Sequence, residues 1–239
     1  MIINILTLFP KMFEGFVGES IIKRAIENGL LKINVINIRD YAEGKHKQCD
    51  DMPFGGGAGM VLKPEPIFRA LENLNKNCVI YTTPQGKKFD QEDAKNFAKM
   101  EEITIIAGHY EGVDERVVEK FVTHEVSLGD FVLTGGELAA MVISDAVSRL
   151  IPGVLGNSSS YENDSFYNGV LDHPHYTRPA EFMGMKVPDV LMSGHHKNIE
   201  KWRRKESLKR TIERRPELIK KLELTKEDKK LLKEIENEK

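Results

Sequence analysis

Short runs rich in Ile, Val and Leu recur through the first two thirds of the chain, and between them apolar residues return every three or four positions. The runs at 2–9, 31–38, 78–83, 103–107 and 125–128 predict buried strands. The patterns at 20–29, 66–74, 90–100 and 114–121 predict helices that cover them. Ser20 is positioned to cap the first of these helices and Gly29 to end it. Such alternation of strand and helix implies an α/β fold with a mostly parallel sheet. A longer apolar helix over 136–151 closes the first domain at Pro152 and Gly153. The opening run has no basic leader or small-residue cleavage site and reads as a buried strand, not an address.

The pattern breaks at Gly156, where GNSSSYENDSFYNG has almost no apolar periodicity. Beyond it, helical patterns at 198–214, 216–222 and 225–236 contain little strand propensity, with Pro216 in a first turn and Thr225 as a cap. The expected organisation is one domain over 1–156, a flexible linker over 157–168, and a small all-helical C-terminal domain over 169–239.

Composition sharpens this division. With 239 residues and 40% hydrophobic content, the chain can bury a real core. Its net charge of -2 conceals an asymmetry: from His195 onward there are 16 Lys+Arg against 10 Asp+Glu, whereas the preceding residues hold 19 against 27. A basic tail points to a polyanionic partner. Cys49 and Cys78 form no CxxC pattern, which argues against a disulfide framework or a zinc site and fits a reducing cytoplasm. No apolar run is long enough to cross a membrane.

Two glycine clusters carry the candidate chemistry. DDMPFGGGAGM at 50–60 lacks the Lys-Ser/Thr end of a P-loop and does not fit GxGxxG, so it reads as a loop that closes on something. LGDFVLTGGE at 128–137 joins a strand to a helix; Thr134 and Glu137 have capping-box spacing, which leaves the paired glycines to permit a close backbone approach. Lys197, Lys201, Lys205 and Lys209 fall at i+4 spacing, and the segment 197–215 holds nine basic and three acidic residues, favouring nucleic acid over a merely solvated face. Trp202 reads as core. His173-x-His175, and His46 near Cys49 and Asp50, are metal-like spacings, but a structural transition metal is not expected. No nucleophilic Ser or Cys arrangement is evident.

Taken together, LTLFPKMF, DDMPFGGGAGM, TTPQGKKFDQ, AGHYEGVDERV, SLGDFVLTGGELAAM, RLIPGVLGN, DSFYNGVLDHPHYTRP and VPDVLMSGHHKNIEKWR resemble the bacterial tRNA (guanine-N1)-methyltransferases of the SPOUT superfamily, in order and over essentially the whole chain. The resemblance implies a deep trefoil knot in the first domain, which no periodicity would suggest because chain connections normally avoid threading. It also implies a cytoplasmic homodimer that binds S-adenosylmethionine and tRNA, not DNA or membrane. The methyl acceptor would be N1 of the guanosine at tRNA position 37, beside the anticodon, a modification that supports reading-frame maintenance.

By motif, the resemblance assigns the cofactor to Tyr81, Thr82, Thr83, Pro84, Gly108, Glu111, Gly112, Ser127, Leu128, Gly129, Asp130, Phe131, Val132, Leu133, Gly135 and Gly136. It assigns tRNA contacts to Asp50, Gly55, Gly56, Gly57, Gly59, His175, Arg178, Lys197, Lys201 and Arg203. Phe131 stands where related sequences often have Tyr, and Ala58 where Pro is frequent, which removes a hydroxyl contact and some loop rigidity. Asp164 matches the general base and Arg149 the residue facing the target guanine. The pairing is chemically sensible, since an ordinary carboxylate with a pKa of about 4 is a weak base toward guanine N1–H. A guanidinium at O6 stabilises the charge that develops as the proton leaves. Mg2+ is expected to support activity, with Glu111 and Asp172 as candidates for influencing it, although the sequence has no recognisable octahedral site. The competing readings are a SPOUT enzyme with another target nucleotide and a non-catalytic RNA-binding protein of the same fold.

Overall fold

The computed structural model describes residues 1–156, 161 and 164–238. They belong to two compact units, Met1–Ser158 and Ser159–Lys239. In the first, strands β1 (Ile2–Thr7), β2 (Lys32–Asn37), β5 (Val79–Lys88), β6 (Glu102–Ala107) and β7 (His124–Ser127) form one parallel sheet in the order β2-β1-β6-β5-β7. A parallel sheet is buried on both faces, which is why its central strands are nearly continuous runs of Ile. Register aligns Ile3 with Ile103 and Ile5 with Ile105, and sets Ile105 beside Ile80.

Short helix α1 (Glu14–Gly18) leads into α2 (Ser20–Glu27). Helices α2, α4 (Gln91–Ala98) and α6 (Glu137–Ser148) pack on one face of the sheet through Ile22, Phe97, Ile143 and Val147. Helices α3 (Pro64–Glu72) and α5 (Glu115–Phe121) cover the other through Ile67, Leu71 and Val117. The α/β architecture with a mostly parallel sheet is therefore as the hydrophobic pattern predicts. Local chemistry also explains several boundaries: Asp90 and Asp93 form a reciprocal capping box at α4, and Gly29 follows α2 at φ +70°.

Three local expectations fail. Ser20 does not cap α2; Glu19 occupies that position with no side-chain hydrogen bond, and Ser20 is the first helical residue. Helix α3 begins at Pro64, earlier than the apolar period suggests, because proline fits a first turn. Strand β5 runs on to Lys88 through Pro84 and Gly86, beyond the predicted run at 78–83. Its pairing with β7 shifts register between Thr82 and Lys87, and a Cβ on Gly86 would strike the backbone of Glu125 and Val126.

The second unit contains α7 (Asp189–Met192), α8 (His196–Arg214), α9 (Pro216–Ile219) and α10 (Lys226–Asn237) around buried Val170, Leu208, Leu231 and Ile235. Thr225 caps α10 as predicted, in a capping box with Asp228. The unit is not all-helical: β8 (Glu181–Phe182) and β9 (Met185–Lys186) form an antiparallel hairpin whose turn residues Met183 and Gly184 both have positive φ. Strands of two residues leave no periodicity to read. Residues 157–160 and 162–163 of the predicted linker lie outside the described residues, whereas 164–169 form hydrogen-bonded turns, with Tyr167 N–H donating to Asp164 C=O and Gly169 N–H to Phe166 C=O. No helix among the described residues is long and apolar enough to cross a membrane. Cys49 and Cys78 are both free and buried, and burial pushes the Cys78 thiol up to about 11.

Candidate active site

At the C-terminal edge of the sheet, β5, β6 and β7 release three loops that converge on a cleft of about 410 Å³. Carboxyl edges of parallel strands are where open α/β sheets bind ligands, because chain direction changes there and backbone groups are left unpaired. The cleft is lined by Tyr81–Gln85 within β5, Gly108–Val113 after β6, residues of Glu125–Gly129 at the end of β7, and residues of Phe131–Gly136 beyond it. Of the positions assigned to a cofactor by motif, all line it except Asp130, which is exposed and pairs with Lys88 at 2.6 Å. The sequence reading missed Gln85, His109, Tyr110, Val113, Glu115, Glu125, Val126, Thr134 and Ala139. Several lie inside the quoted motifs; only the spatial convergence marks them as lining.

Backbone contacts knit the loops together. Gly136 N–H donates to Gly108 C=O at 2.6 Å, and His109 and Gly135 form an isolated antiparallel bridge. A Cβ on Gly136 would collide with Thr82 Oγ1 and one on Gly135 with Glu137 and His109. The paired glycines thus permit close approach of protein to protein, whatever they also offer a ligand. Thr134 and Glu137 do not form the expected capping box: Gly136 is the N-cap of α6, with no side-chain cap, and Glu137 turns inward to accept a hydrogen bond from Thr7 Oγ1 at 2.9 Å. The Tyr81 phenol accepts from Val113 N–H at 3.2 Å, and burial pushes its pKa up.

The other glycine cluster is anchored beside the cleft. Strands β3 (Asp50–Asp51) and β4 (Val61–Leu62) close its base as an antiparallel pair. Glu111 N–H donates to Met60 C=O and Leu62 N–H to Gly112 C=O, both at 2.9 Å. Gly55, Gly56, Gly57 and Gly59 all have positive φ, and Phe54 and Met52 at the tip are exposed. The predicted tRNA positions Asp50 and Gly55–Gly59 therefore share a loop that adjoins the cleft through Glu111.

Arg149 is elsewhere in the same unit. It is the C-cap of α6, whose opposite end meets the cleft, so about 18 Å of helix separates it from Gly136. Asp164 is half-buried in the second unit. Also in that unit, Asp172, His173 and His175 gather ligand atoms within 4.8 Å of one another; His175 Nε2 and Asp172 Oδ2 are 2.7 Å apart. Burial holds the His173 imidazole below its usual pKa. Trp202 is half-buried next to His173 and Tyr176, at 6.3 and 6.4 Å between ring centres, and does not join the apolar core. The α8 stripe is only partly available to a partner. Lys201 pairs with Glu234 at 2.9 Å, Lys205 with Glu234 and Glu238, and Arg204 with Asp228, while Lys197, Arg203 and Arg178 are exposed.

A family model described as tRNA (guanine-1)-methyltransferase TrmD matches residues 1–221. The chain belongs to this family. Curated relatives named tRNA (guanine-N(1)-)-methyltransferase support the assignment over full length. The protein of Fusobacterium nucleatum is 67% identical over 100% of this chain and 99% of its own. That of Desulforamulus reducens is 59% identical over 99% and 96%, and that of Bacillus cereus 57% over all of both. The match at 1–221 takes in both glycine loops and the DHPHYTRP segment at 172–179.

Proposed function

We propose that this chain transfers the methyl group of S-adenosylmethionine to N1 of the guanosine at position 37 of tRNA, as a cytoplasmic homodimer. The observation that carries the reading is full-length similarity at 57–67% identity to proteins named for guanine-N1 methylation of tRNA. The cleft supports the cofactor. Its size falls within the range of small-molecule sites. A Cβ on Gly108 would meet the Tyr81 ring at 2.9 Å, so the glycine lets the 108–112 loop pack directly on Tyr81 in the cleft wall. Thr82, Thr83 and Ser127 supply hydroxyls, and the loop amides supply directional donors.

When bound, S-adenosylmethionine supplies a methyl group on a positively charged sulfur. The chain's task is to orient the guanine and remove its N1 proton. Asp164 accepts that proton as N1 forms its bond to the methyl carbon and the sulfur–carbon bond breaks. Arg149 donates to O6 and stabilises the negative charge spreading over the base. Exposed Arg178, Lys197 and Arg203 hold tRNA phosphates, and the 50–60 loop contacts the nucleotide strand beside the cleft.

Two features support a homodimer. Arg149 lies a helix length from its own cleft, which suits service to a partner's cleft. Leu138 and Val142, four residues apart on α6, are 49% and 48% exposed, and Val132 is 83% exposed. An apolar helix stripe joined to an apolar loop is the composition of a subunit interface. A trefoil knot in the first unit is supported by membership of the family alone. Mg2+ fits poorly at the Asp172, His173 and His175 group, since two imidazoles and one carboxylate suit softer cations than an oxygen-seeking one.

Labelled S-adenosylmethionine and paired tRNA transcripts carrying guanosine or adenosine at position 37 test the reading. Label should enter the guanosine transcript alone and map to N1. Transfer to both transcripts would indicate another target nucleotide, and cofactor binding without transfer would indicate an RNA-binding protein.

A further inference from the structure

Behind the cleft lies a buried carboxylate that the chemistry above does not use. Glu137 is 1% exposed and opens α6. One carboxylate oxygen, Oε1, accepts from Thr7 Oγ1 at 2.9 Å, a contact between residues 130 positions apart. Thr7 Oγ1 in turn accepts from Phe9 N–H at 2.9 Å, so its own proton is committed to Glu137. The other oxygen, Oε2, stands 3.5 Å from His109 Nδ1, a buried ring nitrogen with no hydrogen-bond partner. The His109 ring rests 4.6 Å from that of Phe9, and its backbone bridges to Gly135. Burying a carboxylate is costly unless it is hydrogen-bonded or paired, and here a hydroxyl and the positive end of a 12-residue helix offset that cost.

We propose that Glu137 is a positioning residue for the cofactor cleft. Through Thr7 it ties the N-terminus of α6 to the end of β1, and through His109 it fixes the 108–112 loop against Gly135 and Gly136. The cleft wall formed by Gly108, Glu111 and Gly112 is then pre-organised before any ligand arrives, which lowers the ordering cost of binding. Packing at Gly135 agrees, because any side chain there would displace the Glu137 and His109 groups from each other. Glu137 touches no reacting atom in this scheme, and its influence passes through the loop.

The proposal rests on the cleft being the S-adenosylmethionine site, and calorimetric titration of the full-length protein separates the two claims. If the wild type fails to bind S-adenosylmethionine, the cofactor reading fails and this inference with it. If it binds, Glu137→Gln should bind within about threefold of wild type, since a glutamine amide can accept from Thr7 through its oxygen and place its NH2 beside His109 Nδ1. Glu137→Leu, which keeps the volume but not the hydrogen bonds, should weaken binding at least about tenfold, or about 1.4 kcal/mol. Thr7→Val, which leaves Glu137 itself intact, should weaken it severalfold and keeps the test alive should the leucine variant not fold. Gly136 amide exchange should accelerate in both weakened variants. Unchanged affinity in Thr7→Val, or a leucine variant equal to the glutamine one, would overturn the proposal by showing that shape alone holds the loop.

Discussion

In the Met1–Ser158 unit two apolar clusters sandwich a parallel sheet, and the largest of its fully buried side chains are aliphatic apart from Phe13. In the Ser159–Lys239 unit four buried aliphatics share the same task with Arg204–Asp228, Lys201–Glu234 and the contacts of Lys205 to Glu234 and Glu238. Apolar burial is insensitive to pH and weakly sensitive to salt, whereas ion pairs respond to both. The difference suits the two tasks proposed here. A cleft that must be pre-shaped is built on a rigid apolar frame. A small basic unit that must present cations to a polyanion is held by neutralising some of those cations internally, on α10, while leaving others free.

The largest test of this contrast is Ile105→Ala. Ile105 is fully buried between Ile5 and Ile80 in the middle of the sheet, and its truncation should cost about 4 kcal/mol. Urea unfolding of the first unit should shift by that amount equally at neutral and mildly acidic pH; a loss that varies with pH would mean charge, not packing, dominates there.

A smaller effect is expected at Asp228. The carboxylate accepts from Arg204 Nε at 2.7 Å and from Arg204 Nη2 at 3.0 Å, and this guanidinium, followed by the Thr225 cap, holds its pKa below the usual carboxylate value. A lowered folded pKa means the stabilisation is complete above the unfolded value and disappears as pH falls through the folded one. Asp228→Asn should therefore destabilise the second unit by about 3 kcal/mol at pH 7. In the wild type the same unit should lose amide-exchange protection below about pH 4, ahead of the first. Equal acid sensitivity of the two units would erase the distinction.

Much of this was legible in the chain because burial on both faces of a parallel sheet writes itself as Ile-rich runs, such as 2–7 and 103–107. The apolar run at 78–83 stops short of the end of β5 at Lys88, and only the backbone of β7 lying against Gly86 explains why a glycine is needed inside a strand. The cleft was traced by motif resemblance, not by pattern. The inward turn of Glu137 was hidden: its spacing from Thr134 is that of a cap, and its partner Thr7 is too distant in sequence for any local rule. Likewise Lys201 and Lys205 read as a free cationic stripe because sequence spacing cannot reveal the acidic face of α10 beside them.

The central claim is that cofactor capture belongs to the first unit and proton removal to a residue of the second. It is tested most directly by measuring S-adenosylmethionine affinity and single-turnover methyl transfer side by side in wild type and Asp164→Ala. The account predicts an unchanged dissociation constant and a rate lowered by at least about a hundredfold, within the range for losing a general base. An unchanged rate, or affinity and rate falling together, would contradict it.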